Sequence, residues 1–461
     1  MIKELLKRKL ILLTAGLILG ILVYVGPSIT LSILVLWSIF SFLAKRPQKE
    51  KNTLKKIVII ALILRLIFFA ISIFVIYSSN VNISKYPVIS KLVGHTVQVV
   101  RDFDREIKNG IRIGHYLRGE FGSVPIKEIS KHGVGFLHSG AWTQGVLNYI
   151  FGFSMFNLLL FPLIDLWSVI LVYYLGKKIF DERVASFASF IYAIMPATIV
   201  LSCTNLRFSL GILSLLLIAL ALVNFSKANN FKSLLMLAIG TIMFVIMREK
   251  AGAPIFVILP LILFIALNIK VKFKVISLIF AAIFVIILFY KTTFIEDKFK
   301  ELVANILASQ TGFVVEGAGR EYKIYDERAY SADLKQIPFT LLLKFFPEGL
   351  VKGIFYFILV PFPWDIDNTA RLYMYPQIIF WYFIIPFALL GVIRSLSLKI
   401  KAAYPVILLC IYFIILLSLT MGNEGIATRF RELVAPFFYI FAGSILCKLF
   451  LPRKELKIRE R

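Results

Sequence analysis

Apolar residues fall along the chain in repeated runs of roughly 15–22 positions, the length a helix needs to cross about 30 Å of hydrocarbon at 1.5 Å per residue. The runs predict membrane-spanning helices at 10–25, 28–43, 57–78, 155–176, 184–203, 208–224, 233–247, 251–268, 275–290, 375–393, 403–420 and 432–450. The fold class is therefore an all-α polytopic membrane protein with about 12 transmembrane helices. The first two spans come from one stretch, Leu10 to Leu43, broken at the turn-forming triplet Gly26-Pro27-Ser28 and read as a hairpin. One long, tilted and kinked helix is the competing reading. Two long polar segments, 79–150 and 291–370, interrupt the pattern. In the first, Val97 to Leu117 mixes apolar residues with Arg and Asp at helical spacing, which predicts an amphipathic helix on the membrane surface. In the second, Leu341 to Val360 holds Lys344, Pro347, Glu348 and Lys352 in or near its first half and is read as a re-entrant or surface-lying helix pair. The organisation is a hairpin and basic loop (1–56), a transmembrane domain (57–450) and a basic tail (451–461).

Composition agrees: 59% of the 461 residues are hydrophobic, more than an aqueous core can use, and mean hydropathy is +0.86. Charge adds sidedness. The net +26, from 52 Lys+Arg against 26 Asp+Glu, is concentrated beside the spans, as the positive-inside rule expects, so nucleic acid is not a partner. Lys3, Lys7, Arg8 and Lys9 precede the hairpin, and Lys45, Arg46, Lys49, Lys51, Lys55 and Lys56 follow it. Counting from a cytoplasmic N-terminus places both clusters, the short basic loops and the tail inside, and both long polar segments outside. The expected location is the plasma membrane with both termini cytoplasmic. The basic N-terminus followed by a long apolar stretch reads as an uncleaved anchor rather than a signal peptide. Cys203, Cys410 and Cys447 show no pairing pattern and read as small apolar residues.

Long outer loops are uncommon unless functional. In the first, Arg101-Asp102-Phe103-Asp104-Arg105-Glu106 offers two carboxylates. Asp102 or Asp104 can act as general base on an acceptor hydroxyl, or both can hold a divalent cation, the one cofactor this pattern allows. The plainer reading is a solvated surface paired with Arg101 and Arg105. Cations also stand at outer span ends, where they should be scarce: Arg207 after Thr204-Asn205, Arg248 and Lys250 around Glu249, and Arg429 and Arg431 in the last outer turn. A guanidinium fork suits phosphate, and a lipid-linked phosphate rests at this depth. Snorkelling, or pairing with Glu249, Glu424 and Glu432, is the alternative. Asp165 lies mid-span, where a carboxyl faces a partner or a cavity, or stays protonated and structural. His95, His115, His132 and His138 all lie in the first outer loop, without metal-ligand spacing. No phosphate-binding or dinucleotide glycine loop and no serine nucleophile elbow stands in the right context.

The ordered series of features resembles the GT-C superfamily of polytopic glycosyltransferases, of the protein-mannosyltransferase and aminoarabinose-transferase type. It runs from the early Asp102 and Asp104 through Gly133-Val134-Gly135-Phe136, Tyr149-Ile150-Phe151-Gly152-Phe153-Ser154 and Tyr174-Leu175-Gly176-Lys177-Lys178-Ile179-Phe180. Met195-Pro196, Asn205-Leu206-Arg207, Pro361-Phe362-Pro363-Trp364 and Arg429-Phe430-Arg431 continue it. The resemblance implies transfer of a sugar from a polyprenyl-phosphate carrier to a glycan, lipid or protein acceptor on the outer face. It also implies that Asp102 or Asp104 activates the acceptor, and that Arg207, Arg248 and Arg429 or Arg431 steady the departing phosphate. Two other classes compete: an O-antigen-type polymerase or ligase, which needs the arginines but not the early carboxylates, and a transporter or flippase, which favours internal repeats and broken helices at the midplane.

Overall fold

A computed structural model describes residues 26–79, 107–121, 139–152, 156–204, 206–227, 231–247, 322–325, 339–362 and 375–450, with isolated positions between 255 and 311. Regular structure among the described residues is helical. The helices are α1 (Pro27–Ala44), α2 (Gln48–Ser79), α3 (107–117), α4 (Ser139–Phe151), α5 (Phe156–Ile179), α6 (Glu182–Ile194) and α7 (Pro196–Thr204). They continue with α8 (Leu206–Lys227), α9 (Phe231–Met247), α10 (Phe339–Leu359), α11 (Tyr375–Ser397), α12 (Tyr404–Ser418) and α13 (Glu424–Phe450).

Seven of these segments are long and apolar enough to cross a membrane, those built on α1, α2, α5, α8, α11, α12 and α13. The span expected at 184–203 is broken: α6 and α7 meet at an angle of 59°. The break is local chemistry, because Pro196 has no N–H to donate and pushes Met195 out of the helical region. α9 is apolar but shorter, at 17 residues. The spans expected at 10–25, 251–268 and 275–290 lie wholly or largely outside the described residues. The segment read as a helix pair, Leu341 to Val360, is instead one helix, α10, running through Pro347. A 2.6 Å Lys352–Glu348 ion pair one turn apart bridges the stretch just beyond the proline. Of the amphipathic helix expected over 97–117, the part from 107 onward is helical and the rest lies outside the described residues.

Packing divides the chain into two compact units, Met1–Ile170 with Ala193–Leu213 and Ile246–Arg248, and Leu171–Tyr192 with Ser214–Val245 and Glu249–Arg461. In the second, small residues let helices approach closely, as they do where lipid supplies no hydrophobic drive. A Cβ on Gly391 of α11 would fall 2.1 Å from the Phe441 carbonyl oxygen of α13, and one on Gly353 of α10 would fall 2.4 Å from the Ser418 carbonyl oxygen.

The first unit is organised by a charge. Arg65 in α2 and Asp165 in α5 are both fully buried, and Arg65 donates to Asp165 Oδ2 from Nη2 at 2.6 Å and from Nε at 3.0 Å. Its remaining nitrogen, Nη1, donates to the Ala61 carbonyl at 3.2 Å and the Ala193 carbonyl at 3.1 Å. Ala193 lies in the last turn of α6, where the proline break leaves carbonyls short of helical donors. From α7, the Cys203 thiol donates to the Arg65 carbonyl at 3.4 Å. One guanidinium thus ties α2, α5 and the end of α6, and its own backbone anchors α7. Asp165 is accordingly half of an ion pair, with a partner that the sequence reading did not single out.

Removing one member of a buried pair strands the other charge, at a cost of about 3–5 kcal/mol, whereas an apolar replacement of both is close to neutral. Arg65→Leu or Asp165→Leu is therefore expected to lower the melting temperature sharply in detergent, and the double substitution to recover most of the loss. Single variants as stable as the parent would show that the pair is dispensable.

Candidate functional site

Close to the end of the first unit that carries the N-terminus of α5, α3 crosses α4 at glycines. A Cβ on Gly110 would lie 2.4 Å from Gln144 Cγ, and one on Gly145 would lie 2.3 Å from Ile113 Cγ2. The crossing buries Ile113 and Ala141 with Tyr116, Leu117 and Trp142 around them. It also buries polar groups. Gln144, Asn148 and Asn157 are each 3% exposed or less, as is Ser28 at the start of α1.

These four side chains form a relay with a fixed sense. The Gly152 carbonyl can only accept, so the Asn157 amide must turn its Nδ2 toward it, at 2.9 Å. The same Nδ2 donates to Asn148 Oδ1 at 2.8 Å, which Gln144 Nε2 also reaches, at 3.3 Å. Ser28 donates its hydroxyl to Asn157 Oδ1. At the edge, Arg118 donates to the Asn148 carbonyl at 3.2 Å. Gln144 and Asn148 share a face because they are one turn apart in α4, a spacing readable in the sequence but not used there. Asp102 and Asp104 precede α3 in the chain and lie outside the described residues, as do Arg248 and Lys250.

The other expected site residues are placed as follows. Arg207 lies in the first turn of α8, half-buried. Arg429 and Arg431 lie in the early turns of α13. Arg429 is half-buried, while Arg431 is 3% exposed. The Arg431 guanidinium donates to the Phe357 carbonyl from Nε at 3.2 Å and from Nη2 at 3.1 Å, and Nη2 also donates to the Val360 carbonyl. Its plane stacks over the Trp381 ring at 5.1 Å, and Trp381 Nε1 donates to the Ile358 carbonyl at 2.8 Å. Glu432, the next residue, accepts from Gln377. Arg431 therefore holds the C-terminal carbonyls of α10. His115 pairs with Glu120, and His95, His132 and His138 lie outside the described residues. Among the described residues, no three His, Cys, Asp or Glu side chains converge to hold a metal ion.

Residues 139–294 match the family described as dolichyl-phosphate-mannose-protein mannosyltransferase. The matched family is of the GT-C superfamily type, and the similarity covers about a third of the chain. The match begins at the first residue of α4 and takes in Gln144, Asn148, Asn157, Asp165, Arg207, Arg248 and Lys250. It stops short of Arg429 and Arg431 and starts after Asp102 and Asp104. No curated protein and no solved structure matches the chain. Its apolar helices make this a multi-pass membrane protein, and residues 139–294 are similar to a glycosyltransferase family.

Hydrogen bonds from a charged donor to buried carbonyls are worth about 1.5–3 kcal/mol. Arg431→Gln is expected to lower thermal stability by an amount in that range, and Arg429→Gln by less, when both proteins are unfolded in the same detergent. Equal losses would mean that the carbonyl contacts of Arg431 contribute nothing particular.

Proposed function

We propose that the protein is a membrane glycosyltransferase that takes a sugar from a polyprenyl-phosphate carrier and passes it to a glycan, lipid or protein acceptor on the outer face of the plasma membrane. The observation that carries this reading is the match of residues 139–294 to a family named for a lipid-phosphate sugar donor. The buried polar groups of α4 and α5 fall inside that match. The charge distribution supports the sidedness: basic clusters such as Lys45 to Lys56 flank spans on the face assigned to the cytoplasm.

In this reaction the acceptor hydroxyl oxygen attacks the anomeric carbon as the bond from that carbon to the phosphate oxygen breaks. The configuration inverts. Asp102 or Asp104 takes the hydroxyl proton, and the electron pair of the broken bond leaves on the phosphate. Arg207, Arg248, Lys250, Arg429 and Arg431 are the cations proposed to steady that phosphate, since fixed positive groups aimed at developing negative charge lower the barrier most. For Arg431 this would fall to Nη1, because Nε and Nη2 already serve the end of α10.

The test is a mass-spectrometric profile of envelope glycans and polyprenyl-linked sugars in cells carrying Asp102→Asn and Asp104→Asn, singly and together. The expected outcome is one missing sugar and accumulated polyprenyl-phosphate sugar, with the protein still folded and inserted. Unchanged glycans in all three variants would remove the carboxylates from the mechanism and turn attention to a polymerase or transport role.

A further inference from the structure

The relay in α4 and α5 ends on an unanswered acceptor. Its sense is set at one end by the Gly152 carbonyl, which forces Asn157 Nδ2 outward and therefore Asn148 Oδ1 toward Gln144. Gln144 must then present Nε2 to Asn148, and flipping its amide would set two oxygens against each other. The consequence falls on Gln144 Oε1, a fully buried oxygen that finds no hydrogen-bond donor among the described residues. A buried acceptor left unpaired is costly, and such groups in native folds call for an explanation. The four relay side chains, Ser28, Gln144, Asn148 and Asn157, are all neutral. An amide oxygen accepts from a donor such as a hydroxyl, and does not suit a phosphate oxygen, which would meet Oε1 as acceptor against acceptor.

We infer that Gln144 Oε1 is the docking point for a carbohydrate hydroxyl, so that α4 reads the sugar. The inference rests on the glycosyltransferase reading above and adds the group that recognises the sugar. A site built to accept from a substrate hydroxyl rejects the analogue lacking it, because the protein oxygen is then left unpaired. The stem of Gln144 packs directly over Gly110. That glycine leaves the side chain room that any larger residue would fill.

The experiment compares the full-length protein with Gln144→Met and Gln144→Glu in detergent. The probes are bare undecaprenyl phosphate and a panel of undecaprenyl-phosphate monosaccharides, with binding followed by native mass spectrometry in the absence of acceptor. Met keeps the length and loses the acceptor oxygen. Neutral Glu keeps that oxygen and can donate to Asn148 in place of Nε2. The expected result is that the preference for the sugar-bearing lipid over bare undecaprenyl phosphate falls about tenfold in Gln144→Met. Gln144→Glu should restore it increasingly as the pH is lowered, because only the protonated carboxyl mimics the amide. A merely structural role would shift binding of both lipids together and would not produce that pH-dependent rescue. If sugar-lipid binding is unchanged but the KM for an octyl glycoside acceptor rises, the hydroxyl belongs to the acceptor. If neither changes, Oε1 is satisfied by water and the inference is overturned while the glycosyltransferase reading stands. If the parent protein binds no sugar-lipid of the panel, both readings fall.

Discussion

The buried ion pair between Arg65 and Asp165 is the constraint from which the first unit follows. Either charge left alone in hydrocarbon, where water is absent, costs several kcal/mol. Once α2 carries the arginine and α5 the carboxylate, their registers are locked to one another. Asp165 and Asn157 are about two turns apart on α5 and so lie near one face. The pair that fixes α5 therefore also aims Asn157 into the amide relay beside α4. The hydrogen bond to Ala193 extends the same constraint to the bend before Pro196. A helix break at membrane depth exposes backbone carbonyls that lipid cannot satisfy, and here a side chain from another helix answers one of them.

The second unit solves the same problem with the same residue type. α10 ends just before Pro361, and the carbonyls of Phe357 and Val360 would be left to lipid without a donor. Arg431 supplies the N–H groups, and its cation also suits the negative end of the helix. In both units a planar five-donor fork closes a helix terminus next to a proline, which a lysine, as a point charge, would do less completely. These two arginines are thus tied to backbone as well as to charge. Arginine at membrane depth serves architecture here as well as any chemistry on phosphate.

Much of the architecture was legible in the apolar runs. Segments of span length at 28–43, 57–78, 155–176, 208–224, 375–393, 403–420 and 432–450 correspond to helices of the fold, because burial in lipid demands continuous apolar length whatever the tertiary context. What failed were local competitions. The stretch 341–360 was read as a helix pair, yet α10 continues through Pro347 as one helix, packed closely at Gly353. Pro196 was read within one span and in fact bends it. Asp165 stood out as costly, but its partner Arg65 went unnoticed, although an arginine in the middle of an apolar run carries the same signal. Gln144, Asn148 and Asn157 are uncharged and individually ordinary. Their meaning lies in the direction of the hydrogen bonds between them, which no spacing reveals. The carboxylates Asp102 and Asp104 lie outside the described residues, so the reading of them rests on sequence and resemblance.

The distance along the chain between the two charges has a consequence for how the protein is made. Arg65 and Asp165 are separated by 100 residues, so at about 5–20 residues per second the arginine leaves the ribosome roughly 5–20 s before its carboxylate exists. During that interval α2 must enter the bilayer carrying a guanidinium near its middle, at an insertion cost of about 2.5–3.5 kcal/mol. The flanking run of Ile, Leu and Phe from Ile57 to Phe74 is rich enough to outweigh that cost unaided. The greasiness of α2 is thus a requirement of biosynthesis: the helix has to remain in the membrane alone, holding its charge, until the partner helix is threaded in beside it.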